Sequence, residues 1–219
     1  MLNFDGVLFD LDGTLLDTAP DLGNALNHVL RQHGVNECSY DLYRPVASNG
    51  AKGLLELGFG DQFQHINYDT ARQSLLDYYH LNICTDTQPF DGVADYLAKL
   101  NSASIPWGIV TNKPGWLTDK LLQHFPIMSK CQCVVSGDTY ENSKPHPQPL
   151  LEAAKALNLS PENTLYVGDA KRDIQAAHAA NMRSVAALYG YLTHPQEAQD
   201  WQAEYAIQHI SELSALNKL

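Results

Sequence analysis

The chain has 219 residues, and its content of 44% hydrophobic and 18% charged residues is that of a globular protein, which argues against a disordered, collagen-like or coiled-coil chain. Its formal net charge of −11 argues against nucleic acid as a partner. No apolar stretch approaches the roughly 18 residues of a membrane span, and the N-terminus lacks the basic residues of a signal peptide. We therefore expect a cytoplasmic protein of one large domain, or one domain with an insertion, and no membrane contact.

The first predicted element is a buried strand, followed by a helical segment. Residues 6–11 form a short apolar run that ends at an acid, which is typical of a strand in a parallel sheet. The segment from about Asp17 to Gln88 contains no convincing strand. Thr18 and Asp21 form a capping-box variant that predicts a helix start, and apolar stripes around residues 22–30, 54–57 and 75–79 predict three helices. We expect residues 17–88 to form a small α-helical cap domain inserted after the first strand.

From residue 90 onward, predicted strands and helices alternate. Apolar runs predict strands at 107–111, 133–136, 164–167 and 184–187, with a weaker one at 205–207, and helical stripes lie between several of them. This alternation favours an α/β fold with a Rossmann-like parallel sheet, built from residues 1–16 and 89–219. Two consecutive unrelated domains fit less well, because the opening strand would then have no sheet.

The clearest chemical signal is the segment Asp10-Leu11-Asp12-Gly13-Thr14, at the end of the first predicted strand. Ligands of parallel α/β sheets bind outside the carboxyl ends of the strands. Two carboxylates this close repel each other, so a cation or a proton is expected to be shared between them, and Mg²⁺ favours such oxygen ligands. The plain alternative is a strand-end turn in which Asp12 and Gly13 only form the bend.

Three further polar segments follow predicted strands or open helices. Thr111 offers a hydroxyl suited to a phosphoryl oxygen, and Lys144, in a proline-bounded loop, offers an ammonium group. Asp169 and Asp173 lie on one side of a predicted helix start, where Asp169 can complete a metal site with Asp10 and Asp12. Each has a structural alternative, namely a strand-end cap, a solvated lysine or ordinary helix capping. Together they predict an active site, because the topology brings them to one edge of the sheet.

These segments resemble, in order and spacing, the four motifs of the haloacid dehalogenase superfamily, and the match spans almost the whole chain. Within it the chain resembles the phosphoglycolate phosphatase-like branch and the phosphatases of N-acetylmuramic acid 6-phosphate. The resemblance implies a small-molecule phosphate ester as substrate, Mg²⁺ as cofactor and an aspartyl-phosphate intermediate. It also implies a role for each motif residue: Asp10 as nucleophile, Asp12 as general acid and base, Asp10, the Asp12 carbonyl and Asp169 as metal ligands, Asp173 in support, and Thr111, Asn112 and Lys144 at the phosphoryl group.

Other readings of the motifs remain open. A phosphomutase of the same fold would keep both acids, and a catalytically silent protein could bind a phosphorylated metabolite without hydrolysing it. Ala170 stands where many relatives have Ser or Thr, which removes a hydroxyl near the expected metal. Gly50 and Lys52 of the cap domain, with Lys113 and Arg44, are candidates for contacting the rest of the substrate. The sequence indicates neither the physiological substrate nor the oligomeric state.

Overall fold

The computed structural model of the protein describes residues 4–216. Its main feature is a six-stranded sheet in which every neighbouring pair is parallel. The strands of this sheet are β1 (Gly6–Phe9), β4 (Trp107–Val110), β5 (Cys133–Val135), β6 (Thr164–Gly168), β7 (Arg183–Ala187) and β8 (Tyr205–Ile207). Their spatial order is β5-β4-β1-β6-β7-β8. The α/β parallel-sheet fold predicted from the sequence is confirmed.

Within residues 4–216, five helices accompany the sheet, and four others follow the first strand. The five are α5 (Val93–Ser102), α6 (Gly115–Leu122), α7 (Gln148–Ala156), α8 (Lys171–Ala179) and α9 (Leu213–Leu216). The four are α1 (Ala19–Gln32), α2 (Tyr40–Tyr43), α3 (Gly50–Phe59) and α4 (Tyr68–Leu81), and residues 19–81 are called the helical segment below. Short 3-10 turns join several of these elements. No helix within residues 4–216 is both long and apolar enough to cross a bilayer.

The helical segment packs through the apolar stripes that the sequence contains. Leu26 and Leu30 of α1, Leu54 of α3 and Leu75 of α4 are fully buried and belong to the same apolar cluster as Phe9 of β1. An amphipathic helix of this length is stabilised mainly by burying such a stripe rather than by its own hydrogen bonds. The cluster therefore extends from the helical segment into the core under the sheet.

A two-stranded antiparallel ribbon lies where the chain enters and leaves the helical segment. Its strands are β2 (Leu16–Asp17) and β3 (Gln88–Pro89), with Leu16 opposite Pro89 and Asp17 opposite Gln88. The prediction that Asp17 to Gln88 contains no strand is wrong at its two ends. Two-residue strands carry no periodicity, and their pairing depends on residues about seventy positions apart being brought together.

The start of α1 is stabilised differently from the predicted capping box. Thr18 makes no capping hydrogen bond with its side chain. Instead, the Tyr191 hydroxyl accepts hydrogen bonds from the Thr18 and Ala19 amides, at 2.6 and 2.9 Å. The Asp21 carboxylate accepts from the amides of residues 85–87 and from the Thr87 hydroxyl, at 2.6–3.1 Å. The capping-box prediction is therefore wrong, because the Thr18 hydroxyl donates to Asp12 and the Asp21 carboxylate accepts from residues 85–87 instead.

Candidate active site

The sheet topology brings two acids to neighbouring strand ends. Asp10 follows β1 and Asp169 follows β6, and these strands pair in register with Phe9 opposite Val167. Strand β1 also borders β4, so the chain order reverses there, which is where open α/β sheets form a ligand crevice. Carboxylate oxygens of Asp10, Asp169 and Asp173 lie within 4.8 Å of one another, and all three residues are buried.

Two glycines permit the close approach of loops to Asp169. Gly13 has a φ of +82°, and a Cβ built on it would lie 2.2 Å from Asp169 Oδ2. A Cβ on Gly190 would lie 2.3 Å from Asp169 Cβ. A side chain at either position would displace the acid, so space requires glycine at both positions, and at Gly13 the backbone conformation requires it as well.

Lys144 lies between two of the carboxylates. Its ammonium nitrogen is 2.8 Å from Asp173 Oδ1 and 3.0 Å from Asp10 Oδ1. It also donates to the Tyr166 hydroxyl and to the Val110 carbonyl, at 2.7 and 2.9 Å. These contacts fix the ammonium group beside Asp10, where the sequence analysis expected it to meet a phosphoryl group.

Burial raises the affinity of this cluster for protons. Burial raises the pKa of Asp10 to about 6, a shift that Lys144 opposes and Asp173 increases. Burial also raises the pKa of Asp169 to about 7, with further increases from Asp10 and Asp173. Hydrogen bonds to Asp169 from the Tyr191 amide and the Ser48 hydroxyl, both 2.9 Å, act in the opposite direction. The raised pKa values show that negative charge is disfavoured at these buried carboxylates, and a bound cation would neutralise it as a proton does.

The donor set fits a hard divalent cation. Asp10, Asp12, Asp169 and Asp173 supply four carboxylates at this sheet edge, whereas Lys113 and Lys144 supply two ammonium groups. The two negative charges that remain uncompensated equal the charge of one divalent cation, and carboxylate oxygens are the ligands that Mg²⁺ prefers. The side chains that could share such an ion are those of Asp10, Asp169 and Asp173.

The Asp12 carboxylate has a different environment from the three clustered acids. Its Oδ1 accepts from the Thr18 hydroxyl at 2.6 Å and from the Lys113 ammonium at 3.0 Å. Lys113 also donates to the Tyr79 hydroxyl at 3.0 Å. Burial alone would lower the pKa of Lys113, but Asp12 and Tyr79 raise it above its ordinary value. The expectation that Asp10 and Asp12 share a cation or a proton stays a prediction. In this structure the Asp10 carboxylate lies next to Lys144 and the Asp12 carboxylate next to Lys113.

Thr111 and Asn112 lie at the end of β4, beside this cluster. The Thr111 side chain is almost fully buried and accepts from the Lys113 amide at 3.2 Å. Asn112 exchanges two hydrogen bonds with the backbone of Lys144, at 2.8 and 3.0 Å. Both residues line the cavity described next, so Asn112 positions the Lys144 loop as well as facing that space.

A cavity of about 330 Å³ separates the sheet edge from the helical segment. Asp10, Asp12 and Lys113 line it from the sheet side, and Gly50 and Lys52 line it from α3. The volume is within the range of small-molecule sites. The structure thus brings these substrate candidates to one cavity. Arg44 does not line it, because its guanidinium donates to the Tyr189 carbonyl at 2.9 Å and lies over the Tyr191 ring.

Sequence reasoning did not single out the contacts that hold the helical segment against the sheet edge. Arg172 of α8 donates to the Ser48 carbonyl at 2.7 Å and to Asn49 Oδ1 at 2.8 Å. Ser48 in turn donates to Asp169. Arg172 lies between Asp169 and Asp173 in the sequence, but nothing in its local pattern distinguishes it from a solvated cation.

Comparison with known proteins agrees with this geometry. A sequence model of the haloacid dehalogenase-like hydrolases matches residues 7–187. A phosphoglycolate phosphatase of Xanthomonas campestris is 40% identical, over 94% of this chain and 93% of its own. An N-acetylmuramic acid 6-phosphate phosphatase of Pseudomonas putida is 35% identical, over 94% of this chain and 93% of its own. A crystal structure described as a predicted phosphoglycolate phosphatase from Haemophilus somnus has a TM-score of 0.87 and 25% identity, over 99% of both chains.

Proposed function

The chain belongs to the haloacid dehalogenase-like hydrolase family and is a phosphatase, and we propose that it is a Mg²⁺-dependent phosphomonoesterase acting through an aspartyl-phosphate. Its substrate is a small phosphorylated metabolite, 2-phosphoglycolate or a sugar phosphate such as N-acetylmuramic acid 6-phosphate. The observation that carries the proposal is the position of Asp10, which lies in the acidic cluster and also lines the cavity. The proposed location is the cytoplasm, which the free state of Cys38, Cys84, Cys131 and Cys133 supports.

Asp10, Asp169 and the Asp12 carbonyl would hold Mg²⁺, with Asp173 in support. The close approach of the Asp10, Asp169 and Asp173 side chains supports this assignment. The ion would supply charge neutralisation for the phosphoryl group and for the carboxylates around it. Asp173 is already 2.8 Å from the Lys144 ammonium, which supports a role in holding Lys144 rather than the ion.

Asp10 would act as the nucleophile. Its Oδ1 accepts from the Leu11 amide at 2.7 Å and lies 3.0 Å from Lys144, which fixes the side chain and leaves Oδ2 for the attack on phosphorus. As the phosphorus–oxygen bond of the ester breaks, the Asp12 carboxyl would give its proton to the leaving oxygen. Asp12 would then take a proton from water, whose oxygen attacks phosphorus, releasing inorganic phosphate and restoring Asp10.

Thr111, Asn112 and Lys144 would hold the phosphoryl group next to Asp10. Thr111 and Asn112 line the cavity at the end of β4, next to the strand that Asp10 follows. The Lys144 ammonium lies 3.0 Å from Asp10 Oδ1 and would neutralise negative charge at this point, and its other contacts hold it rigidly. Phosphoryl transfer depends mainly on such positioning and on charge neutralisation.

The helical segment would act as a cap domain over this site. We assign residues 17–88 to the cap domain and residues 1–16 and 89–219 to the core domain. The β2–β3 ribbon at the junction and the cavity between the two parts support this division. A cap excludes bulk water and can contact the leaving group, which a shallow sheet edge cannot do. Gly50, Lys52 and Lys113 line the cavity and would face the part of the substrate beyond the phosphoryl group.

The test is release of inorganic phosphate from p-nitrophenyl phosphate, 2-phosphoglycolate and N-acetylmuramic acid 6-phosphate, with Mg²⁺ and with excess chelator. We expect release that needs Mg²⁺ and that the Asp10→Asn variant lacks, because an amide does not attack phosphorus. A rapid acid quench should show one phosphoryl group on the peptide that contains Asp10. Isomerised ester without free phosphate would identify a mutase, and binding without turnover would identify a silent metabolite-binding protein.

A further inference from the structure

A helix of the cap domain presents an unpaired arginine to the active-site cavity. Four cationic side chains line the cavity: those of Lys52, Arg72, Lys113 and Arg172. Lys113 pairs with Asp12, and Arg172 donates to Ser48 and Asn49. Lys52 is largely exposed and lies 3.8 Å from Glu56 of its own helix. Within residues 4–216, Arg72 is the one cavity cation with neither a hydrogen bond nor an ion pair, although it is half-buried.

The position of Arg72 follows from helix geometry. Five residues of α4 line the cavity, namely Tyr68, Arg72, Leu75, Leu76 and Tyr79. Successive turns of the helix contribute them at intervals of three or four residues, so they lie on one face of α4. Leu75, Leu76 and Tyr79 are buried. Arg72 therefore projects from a mainly apolar wall, where an ion pair is stronger than in open water.

The same face connects Arg72 with the catalytic end of the cavity. The Tyr79 hydroxyl contacts Lys113, which contacts Asp12, the residue proposed to protonate the leaving group. Arg72 is seven residues before Tyr79, which corresponds to about 10 Å along the helix axis. An anion bound by Arg72 would thus lie at the far side of the leaving group, farther from the ester oxygen than a two-carbon chain extends.

We infer that Arg72 selects substrates by forming an ion pair with a carboxylate carried on a sugar-sized leaving group. A guanidinium binds a carboxylate through two parallel hydrogen bonds, and one unpaired cation balances its single charge, whereas a second phosphate carries up to two. The names of both groups of relatives contain carboxylic acids, but glycolate has only two carbons, and the span of α4 favours the larger N-acetylmuramic acid type. This inference rests on the proposed function and adds to it a residue and a substrate feature.

The experiment compares two esters that differ in the carboxylate. N-acetylmuramic acid 6-phosphate carries a lactyl carboxylate that N-acetylglucosamine 6-phosphate lacks. In Arg72→Met, we expect kcat/KM to fall about 10- to 100-fold for the first ester and less than threefold for the second. Arg72→Lys should recover part of the loss, because it keeps the charge but not the paired hydrogen bonds. The matched control is Arg31→Met, which removes an exposed cation of α1 paired with Glu37, outside the cavity.

Each other outcome overturns the inference in a recognisable way. Equal losses on both sugar phosphates would make Arg72 a general structural residue, and no loss on either would remove it from recognition. A selective loss on 2-phosphoglycolate would refute the spacing argument. A loss confined to glucose 1,6-bisphosphate would assign Arg72 to a second phosphate.

A binding measurement separates this inference from the proposed function. Calorimetric titration of both sugar phosphates into Asp10→Asn and into Asp10→Asn with Arg72→Met requires no turnover. We expect the second substitution to weaken binding of the carboxylate ester about 10-fold or more and to leave the other ester within threefold. Equal affinities would overturn the role of Arg72 even if hydrolysis is confirmed, whereas selective binding without hydrolysis by the unmodified protein would refute the phosphatase mechanism alone.

Discussion

The Lys113 ammonium lies 3.0 Å from Asp12 Oδ1 and joins the end of β4 to the loop after β1. The Thr18 hydroxyl donates to the same oxygen at 2.6 Å, so two contacts fix the direction of the Asp12 side chain. Both Asp12 and Lys113 line the cavity, and Lys113 is also held by the Tyr79 hydroxyl of α4. The acid proposed to protonate the leaving group is therefore oriented by a residue that also contacts the helical segment.

Replacing Lys113 with methionine should impair proton transfer more than metal binding. Without the ammonium group, Asp12 loses one of its two orienting contacts, and general acid catalysis contributes about 10²–10⁴-fold to a rate. We expect kcat to fall at least 10-fold on an alkyl phosphate and much less on p-nitrophenyl phosphate, whose leaving group needs little protonation. Mg²⁺ affinity should change less than threefold. The control is Lys155→Met, which replaces an exposed side chain of α7, and equal losses on both esters would argue against this role.

The Lys144–Asp173 pair should contribute strongly to stability. The two side chains are 1% and 0% exposed, and the atoms Nζ and Oδ1 are 2.8 Å apart. Removing Lys144 leaves the buried carboxylates of Asp10 and Asp173 without their shared cation and costs about 3 kcal/mol, so Lys144→Met should lower the melting temperature by roughly 6–12 °C. Glu152→Gln, in an exposed pair with Lys155 at 3.7 Å, should change it by less than about 2 °C. Similar melting temperatures for the two variants would contradict this prediction.

Mg²⁺ affinity should fall steeply with acidity between pH 8 and pH 5. Burial raises the pKa of Asp10 to about 6 and of Asp169 to about 7, from an ordinary value of 3.8, so protons compete with the ion well above the usual range. At pH 5 the affinity should be weaker by a factor on the order of 10³, because both groups are then mostly protonated. Calorimetric titration at several pH values measures this.

Asp10→Asn provides the control for the pH prediction. It removes one titrating group, so the pH dependence of Mg²⁺ affinity should become shallower and follow the protonation of Asp169 alone. With ordinary carboxylate pKa values, the affinity would stay nearly constant down to pH 5, and that result would show that burial does not hold these protons.

Arg172 should hold the cap domain closed. Its guanidinium donates to the Ser48 carbonyl and to Asn49 Oδ1, next to the start of α3. Hydrogen bonds to a charged group contribute about 1.5–3 kcal/mol each, so Arg172→Gln should speed amide hydrogen exchange at residues 54–57, whose amides bond within α3, by 10-fold or more. The adjacent, exposed Lys171 is the matched control, as Lys171→Gln removes the same charge without these contacts. Unchanged exchange in Arg172→Gln would mean that other contacts hold this junction.

The positions of the motif residues could be predicted because local patterns define them. Asp10, Thr111 and Asp169 each follow directly on an apolar run, and parallel strands place their carboxyl ends at one edge. The directions of their side chains could not be predicted in the same way. The Asp12 side chain lies next to Lys113, and the Thr18 and Tyr79 hydroxyls complete this network, which no local pattern indicates.

Contacts between the helical segment and the rest of the chain also could not be predicted from neighbouring residues in the sequence. Thr18 and Asp21 match a helix-start pattern, but Thr18 contacts Asp12 and Asp21 contacts residues 85–87. A distant hydroxyl, that of Tyr191, accepts from the first amides of α1 instead. A pattern rule weighs only neighbours in the chain, so it cannot tell when a remote partner offers a better hydrogen bond.

The sequence by itself determined the alternation of strands and helices, the parallel sheet and the edge at which the acids meet. Apolar periodicity and strand length are local properties, and a parallel topology converts them into a common edge. Only the tertiary structure decided which cation each carboxylate meets and which arginine faces the cavity without a partner. Asp12 and Lys113 are 101 residues apart in the chain, and such pairs depend on packing and rotamers that leave no period in the sequence.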